Sequence, residues 1–219
     1  MPLREKIFLT LSSVFISSLV IANLVGITKF VNLGGLSIPV GMLAYPVTFL
    51  CTDLISELYG RKHANYLVWV GLLMNLFLLL IMTTGYVLPV DAKWFESVSS
   101  DIASRDAFAT IYHYMARATA ASMVAYLIAQ FCDVYFYHYF KELTNDKHLW
   151  LRNNASTMTS QFIDTIAVMF ITFYGKLPVS DIMTFVMYGY IFKVIAAALD
   201  TPLMYLGVKI LKPRVNPGA

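Results

Sequence analysis

The chain of 219 residues is 58% hydrophobic and only 13% charged, with a formal net charge of +3. An average soluble domain is about 45 to 50% apolar and about 25% charged, so the composition excludes an ordinary soluble protein and indicates an integral membrane protein. We expect a single membrane domain that covers residues 1–219. The cations lie beside apolar segments, so the net charge gives no reason to expect nucleic-acid binding.

Six apolar segments predict six transmembrane helices. Residues 7–27 contain Asn23 as their only strongly polar side chain, and residues 66–90 contain no charge. Each exceeds the ~20 residues that are needed to cross a hydrocarbon core of ~30 Å. Four further segments, each interrupted by polar residues, are 42–59, 118–139, 155–174 and 182–210.

Glycine and proline residues mark irregular backbone. Gly34 and Gly35, at the centre of residues 30–40, predict an extended hairpin between the first two helices, the alternative being an ordinary outer loop. Pro46 and Pro202 each remove a main-chain donor and predict kinks in the second and sixth helices. The predicted fold class is therefore all-α and polytopic, with six transmembrane helices and one short hairpin.

Two shorter patterns concern the surroundings of the helices. Residues 91–106 carry four acids and two bases and predict an outer loop with some helix on the membrane surface. In the first helix, Ala22 and Gly26 have the spacing of a small-x-x-x-small pair. This spacing predicts close helix packing, either within the chain or between copies in a homo-oligomer.

Positive charges predict the orientation in the lipid bilayer. Ten of the sixteen cations fall on one side of the predicted membrane and four on the other, so the positive-inside rule puts both termini in the cytoplasm. We interpret the basic start and the apolar run after it as an uncleaved helix, because the run is too long for a cleaved signal. The ten cations are Arg4, Lys6, Arg61, Lys62, Lys141, Lys147, Arg152, Lys209, Lys212 and Arg214.

Three ionisable residues lie near the middle of predicted helices. Counted at ~1.5 Å per residue from the membrane edges, Asp53 is ~12 Å deep, Asp164 ~15 Å and Lys193 ~16 Å. A charge at the bilayer centre costs at least ~2.5 kcal/mol on insertion scales, so it persists where it is paired or faces a polar cavity. We expect the three to line one polar site. Asp200 lies seven residues after Lys193, which puts the two on one stripe of the sixth helix. The alternative is a buried Asp–Lys pair that only holds helices together.

Helical spacing adds polar neighbours. Gln161 lies three residues before Asp164, and Gln130 stands in the same relation to Asp133, so each pair shares a helix face. Arg117 and Asp133 fall just inside two predicted aromatic belts, where their side chains either reach water or take part in the site.

Enzyme motifs are absent from the sequence. There is no zinc-type His-Glu-x-x-His, no Gly-x-Ser-x-Gly and no phosphate-binding Gly-x-x-x-x-Gly-Lys. We therefore predict no catalytic residue, no cofactor and no metal site, and a chain that is not an ATP-driven pump on its own. Cys51 and Cys132 fall within helices and predict packed thiols.

Four stretches resemble one known family. They are residues 46–60 with Thr52-Asp53-Leu54, the stretch from Ala116-Arg117-Ala118 to Gln130 and Asp133, the stretch from Ala155-Ser156-Thr157 to Asp164-Thr165, and Phe192-Lys193-Val194. Together they resemble the queuosine precursor transporter family of bacterial inner-membrane proteins, over all six helices. The combination is more specific than any single motif.

The resemblance implies uptake of a queuosine precursor for tRNA modification. The substrate would be chiefly 7-cyano-7-deazaguanine and, in some members, the aminomethyl form or queuine. At Gln161 some relatives carry a shorter Asn. The substrate-binding residues that the resemblance implies are Asn23, Asp53, Arg117, Gln130, Asp133, Asp164 and Lys193.

A 7-deazaguanine suits these residue types. A carboxylate, either Asp53 or Asp164, can accept its adjacent N1–H and N2–H2 donors in parallel. Gln161 or Lys193 would donate to its carbonyl or cyano group. The aromatic residues that we consider for stacking on the flat ring are Tyr45, Phe49 and Phe162.

Three other functions remain open from the sequence. A substrate-binding subunit of an energy-coupling vitamin importer has a similar size and ligand, but depends on a partner ATPase. An intramembrane aspartyl hydrolase would pair Asp53 with Asp164, yet neither residue has the Gly-x-Gly-Asp context of that class. A structural assembly factor would explain small-residue packing, but not charges near the midplane.

Overall fold

The computed structural model describes residues 1–91, 93, 102–144 and 149–215. Within them the chain forms six α-helices, a two-stranded hairpin and one 3-10 helix. The helices are α1 (Leu3–Val25), α2 (Tyr45–Tyr59), α3 (Arg61–Val87), α4 (Ile102–Leu143), α5 (Leu149–Phe173) and α6 (Val179–Val215), the strands are β1 (Phe30–Leu33) and β2 (Leu36–Pro39), and the 3-10 helix is Val40–Ala44.

The predicted all-α, polytopic fold class is confirmed. Among the described residues, three helices are long and apolar enough to cross a membrane: α1, the Lys62–Val87 part of α3, and α6. The apolar part of α5, Met158–Phe173, is shorter. Helix α4 is far longer than the predicted segment 118–139, since it extends over 42 residues. Of the predicted outer segment 91–106, residues 92 and 94–101 lie outside the described part of the chain.

The second helix differs from its prediction at Pro46. A continuous helix over 42–59 with a proline kink was expected, but α2 begins at Tyr45 and Pro46 stands in its first turn. The prediction of a kink there is wrong because a proline in the first turn removes a donor that has no helical partner, so it starts a helix without bending it. The residues before it form the 3-10 helix. Pro202, in contrast, lies inside α6 as predicted.

The predicted hairpin between the first two helices is confirmed. Strands β1 and β2 pair, and the residues between them, Gly34 and Gly35, have φ of 59° and 94°. Positive φ at both central residues is what a two-residue type I′ turn requires, and only glycine adopts it without strain. The side-chain Oδ1 of Asn32 accepts a hydrogen bond of 2.9 Å from the Gly35 amide.

Backbone contacts divide the chain into two compact units. The first contains residues 1–31, 39–116 and 193–219, and the second contains residues 32–38 and 117–192. In the first unit, α1, α2 and α3 pack around an apolar cluster of Phe15, Cys51, Ile55, Ala64 and Leu67. Cys51 is buried and its thiol is free, as the sequence predicts.

The 3-10 helix packs closely on the end of α1 within the first unit. The amide of Gly41 donates a hydrogen bond of 3.1 Å to the carbonyl of Gly26. A Cβ atom at Gly41 would overlap the carbonyl oxygen of Ala22 and lie 2.6 Å from the Cα of Gly26. The small residues at 22 and 26 thus allow backbone to approach backbone inside one chain, one of the two forms of packing predicted for them.

In the second unit, α4 carries a buried stripe of alanines. Ala118, Ala121, Ala125 and Ala129 are all buried and recur every three or four residues, which is the spacing of one helix face. Such small side chains let a neighbouring helix approach closely.

Candidate functional site

Lys193 is almost completely buried in the first unit. Its side chain on α6 is 5% exposed, and its Nζ atom lies 5.2 Å from the centroid of the Tyr45 ring at the start of α2. An ammonium over an aromatic face at this distance is a cation–π contact. Pro46 in the first turn fixes where α2 begins and therefore where the Tyr45 ring stands.

Two carboxylates accompany this cation. Asp53 on α2 is exposed, whereas Asp200 on α6 is only 6% exposed. The two carboxyl groups are close enough to interact electrostatically. Within the residues that the structure describes, Asp200 Oδ2 is buried and accepts no hydrogen bond. A buried acceptor without a donor is costly, so this oxygen is a candidate for binding a proton or a ligand N–H.

A regular stripe on α6 faces α2. Lys193, Asp200 and Gly207 are spaced seven residues apart, which puts them on one helix face. Lys193 lies over Tyr45, and a Cβ atom at Gly207 would lie 2.8 Å from Leu54 Cδ2 on α2. Asp200, midway between two positions that contact α2, therefore faces α2 as well.

An ion pair joins the same two helices closer to the chain terminus. Lys212 Nζ lies 3.7 Å from Glu57 Oε1, and both side chains are nearly half exposed. Arg61 lies four residues after Glu57, but the side chain of Arg61 is outside the described residues. An exposed pair of this kind contributes little stability, so we assign it no role in the site.

A pair of buried amides lies elsewhere in the first unit. Asn23 Nδ2 on α1 donates a hydrogen bond of 3.0 Å to Asn75 Oδ1 on α3 and one of 3.1 Å to the Leu19 carbonyl. Both asparagines are buried. The sequence analysis proposed Asn23 for substrate binding, and the structure shows what positions its side chain. The role itself stays a prediction.

Arg117 caps the C-terminal end of α5 in the second unit. Its Nε donates to the carbonyl of Ile171 at 3.1 Å, and its Nη2 donates to the carbonyl of Tyr174 at 2.9 Å. The last carbonyls of a helix lack intrahelical partners and carry partial negative charge, which a guanidinium satisfies. From the sequence, the side chain of Arg117 was expected either to reach water or to contact the substrate. The structure adds a structural contact, and substrate binding by Arg117 stays a prediction.

The remaining predicted residues also belong to the second unit. Gln161 and Asp164 are half-buried on α5, one turn apart, as their spacing predicts. The ring of Phe162 beside them packs edge-on against the ring of Tyr190, with 5.0 Å between the two ring centroids. Gln130 and Asp133 lie on α4, but their side chains are outside the described part of the structure. A single site shared by Asp164 with Asp53 and Lys193 stays a prediction.

Sequence reasoning missed two members of these clusters. Asn75 stands alone among the apolar residues of α3, and a lone amide at that depth was the available signal. Asp200 was noted for its spacing from Lys193 but was not included among the site residues. Its burial and its neighbour Asp53 become visible only once α2 and α6 are placed.

Buried ionisable side chains on the helices of a polytopic fold mark a pathway for ions or substrates. The class of protein that this fold and these groups define is a membrane transporter. Residues 39–207 match the sequence profile of a family described as "Putative vitamin uptake transporter". The chain belongs to this family, which is one of transporters and not of enzymes.

Two curated proteins are similar to the chain. A "Probable queuosine precursor transporter" from Bacillus subtilis is 33% identical over 193 residues, which cover 88% of this chain and 80% of the relative. A "Queuosine precursor transporter" from Escherichia coli is 26% identical over 137 residues, which cover 61% of this chain and 54% of the relative. The resemblance identified from the sequence is thereby confirmed. No solved structure matches the chain.

Proposed function

We propose that this protein imports a queuosine precursor, foremost 7-cyano-7-deazaguanine, for tRNA modification. Membership of the family supports transport, and the names of two relatives support the class of substrate. The single observation that carries the proposal in this chain is the group of Asp53, Lys193 and Tyr45, in which a buried cation, an exposed carboxylate and an aromatic ring lie within one unit.

The chemistry of the substrate fits this group. The ionised carboxylate of Asp53 accepts the adjacent N1–H and N2–H2 donors of a 7-deazaguanine in parallel. The ammonium of Lys193 donates to the ring carbonyl or the cyano group. The rings of Tyr45 and Phe49, whose centroids are 5.9 Å apart, supply apolar area for the flat heterocycle. The carboxylate then provides specificity, since an analogue without the two donors leaves it unpaired.

Six further residues remain proposed substrate contacts. Asp164 is a second carboxylate with the same capacity to accept two donors, and Gln161 on the same face can donate or accept. The other four, carried by the family resemblance, are Asn23, Arg117, Gln130 and Asp133.

The proposed location is the bacterial inner membrane, with both termini in the cytoplasm. Reporter fusions after residues 62, 100, 147, 178 and 219 should report inside, outside, inside, outside and inside, because ten of the sixteen cations would then lie in the cytoplasm. A periplasmic C-terminus would contradict this orientation.

Feeding cells with the precursor tests the proposed function. Cells that lack both precursor synthesis and their own importer would express this chain and receive limiting 7-cyano-7-deazaguanine. We expect queuosine to appear in their tRNA at that concentration, and not in cells with an empty vector. A chain that reaches the membrane at normal abundance and leaves tRNA without queuosine would refute the proposal.

One observation favours a second candidate function. The family description names vitamin uptake, which is also the task of the substrate-binding subunits of energy-coupling importers. Such a subunit would bind the same ligand but would need a partner ATPase to move it. Uptake by the chain alone in the absence of ATP would exclude this candidate.

A further inference from the structure

The two carboxyl groups of Asp53 and Asp200 form an acidic pair between α2 and α6. Asp200 lies midway between Lys193 and Gly207 on the α6 stripe, and both of these positions contact α2. The carboxyl groups of the pair interact electrostatically, which agrees with this placement. The pair lies entirely within the first unit.

Asp200 is the unusual member of the pair. Its side chain is 94% buried, and within the described residues its Oδ2 atom accepts no hydrogen bond. A buried carboxylate oxygen that is ionised and unpartnered is strongly disfavoured, whereas a bound proton removes its charge. Pro202, two residues further along α6, has no N–H to donate to the carbonyl of Ala198.

The net charge of the side chains around the pair is balanced by one added proton. Asp53, Asp200 and Lys193 together carry one net negative charge, and a single proton makes this set neutral. Glu57 and Lys212 on the same helices pair with each other, and the Cys51 thiol packs against Phe15. The apolar parts of α1 and α3, residues 7–25 and 67–85, contain no ionisable side chain and add no charge.

We infer that Asp53 and Asp200 share one transported proton, which couples import of the precursor to the proton gradient. The inference rests on the proposed function. Two neighbouring carboxylates, one of which is buried, do not both ionise readily, so one proton is held by the pair. Sodium is the competing monovalent cation, and the experiment below distinguishes the two.

Proton and substrate bind cooperatively in this arrangement. A proton from the outer solution adds to a carboxylate oxygen of Asp200, which leaves Asp53 ionised to accept the two N–H donors of the substrate. Release of the proton to the cytoplasm restores repulsion between the two carboxylates and weakens binding of the substrate. By linkage, the substrate strengthens proton binding by the same factor as the proton strengthens substrate binding.

Purified protein in lipid vesicles tests the coupling. Uptake of labelled 7-cyano-7-deazaguanine would be measured at equal pH, with the outside one pH unit more acidic, and with an inward sodium gradient. For one proton per substrate, and with the membrane potential held at zero, the acidic gradient should concentrate the substrate about tenfold, since one pH unit is a factor of ten in proton concentration. A pH dye inside the vesicles should report acidification that depends on the substrate.

Variants of single carboxyl groups show which residue is responsible for the proton coupling. Asp200→Asn should reduce the ratio of uptake with and without the pH gradient from about ten to about one, and Asp200→Glu should restore most of it. Asp181→Asn is the matched control, because Asp181 is an exposed carboxylate on the same helix. It should keep the wild-type ratio.

Each outcome has a distinct meaning. Wild-type uptake that ignores the pH gradient, or follows sodium instead, would overturn the proton proposal and leave the proposed function intact. Retention of the pH-driven ratio in Asp200→Asn would also overturn it. Failure of the wild-type protein to take up any 7-deazaguanine would overturn the proposed function and the proton proposal together.

Discussion

Replacing Asp53 with Asn should lower the affinity for 7-cyano-7-deazaguanine at least tenfold. The change keeps the shape of the side chain but turns one acceptor into a donor that points at a donor of the ligand. A polar group that the bound ligand covers and leaves unpaired costs about 1 to 3 kcal/mol, and more if it is charged. Each ~1.4 kcal/mol is a factor of ten in Kd. Equilibrium binding to the purified variant would measure the loss.

The matched control for this change is Glu57→Gln. Glu57 lies one turn from Asp53 on the same helix and is exposed, and Lys212 is its ion-pair partner among the side chains that the structure describes. Its loss should change Kd less than twofold, because exposed pairs contribute about 0 to 1 kcal/mol to stability and none to the ligand. Asp164→Asn is the parallel test in the second unit. The variant that loses more affinity identifies the carboxylate that accepts the N1–H and N2–H2 donors of the substrate. Wild-type affinity in both Asn variants would remove the carboxylates from substrate recognition.

Replacing Gly41 with Ala should destabilise the fold by about 3 kcal/mol or more, at the upper end of the cost of overpacking. The new Cβ would overlap the Ala22 carbonyl oxygen and lie 2.6 Å from the Cα of Gly26. Both neighbours are backbone atoms, which cannot relieve the overlap by a rotamer change as a side chain can. In addition, the hydrogen bond from the Gly41 amide to the Gly26 carbonyl would lengthen. Thermal unfolding in detergent should show a decrease in Tm of at least about 6 °C for a chain of this size.

Gly34→Ala provides the control for that substitution. Its φ is 59° and no atom lies within 4 Å of the added Cβ, so only backbone strain is introduced. A left-handed conformation costs a residue with a side chain about 1 to 2 kcal/mol, which predicts a decrease in Tm of about 2 to 8 °C. An equal or smaller effect at Gly41 would show that the close approach of the 3-10 helix to α1 is not important for stability.

The helices and the hairpin could be predicted because their signals are local. Apolar runs of sufficient length identify α1 and α3, and the Gly34-Gly35 pair identifies the turn between β1 and β2. The start of α2 was mispredicted, since hydrophobicity continues unbroken through the 3-10 helix and only the position of Pro46 in the first helical turn marks the boundary.

The candidate site was only partly predictable, because its contacts join distant parts of the chain. Depth along a helix identified Asp53 and Lys193, since a charge in an apolar run is visible in the sequence. The cation–π contact of Lys193 with Tyr45 and the burial of Asp200 depend on how α2 and α6 are placed. In the second unit, Arg117 donates to carbonyls 54 and 57 residues further along the chain, and nothing in its own neighbourhood indicates these partners.

Uptake into lipid vesicles that contain this chain alone is the most direct test of the account. With equal pH on both sides and no nucleotide present, labelled 7-cyano-7-deazaguanine should enter until its concentrations inside and outside are equal, and unlabelled compound should compete. Protein-free vesicles give the background rate, and vesicles with the Asp53→Asn variant should take up limiting compound more slowly than the wild type. Entry no faster than into protein-free vesicles, with folded protein in the membrane, would contradict the claim that this chain is itself a carrier of queuosine precursors.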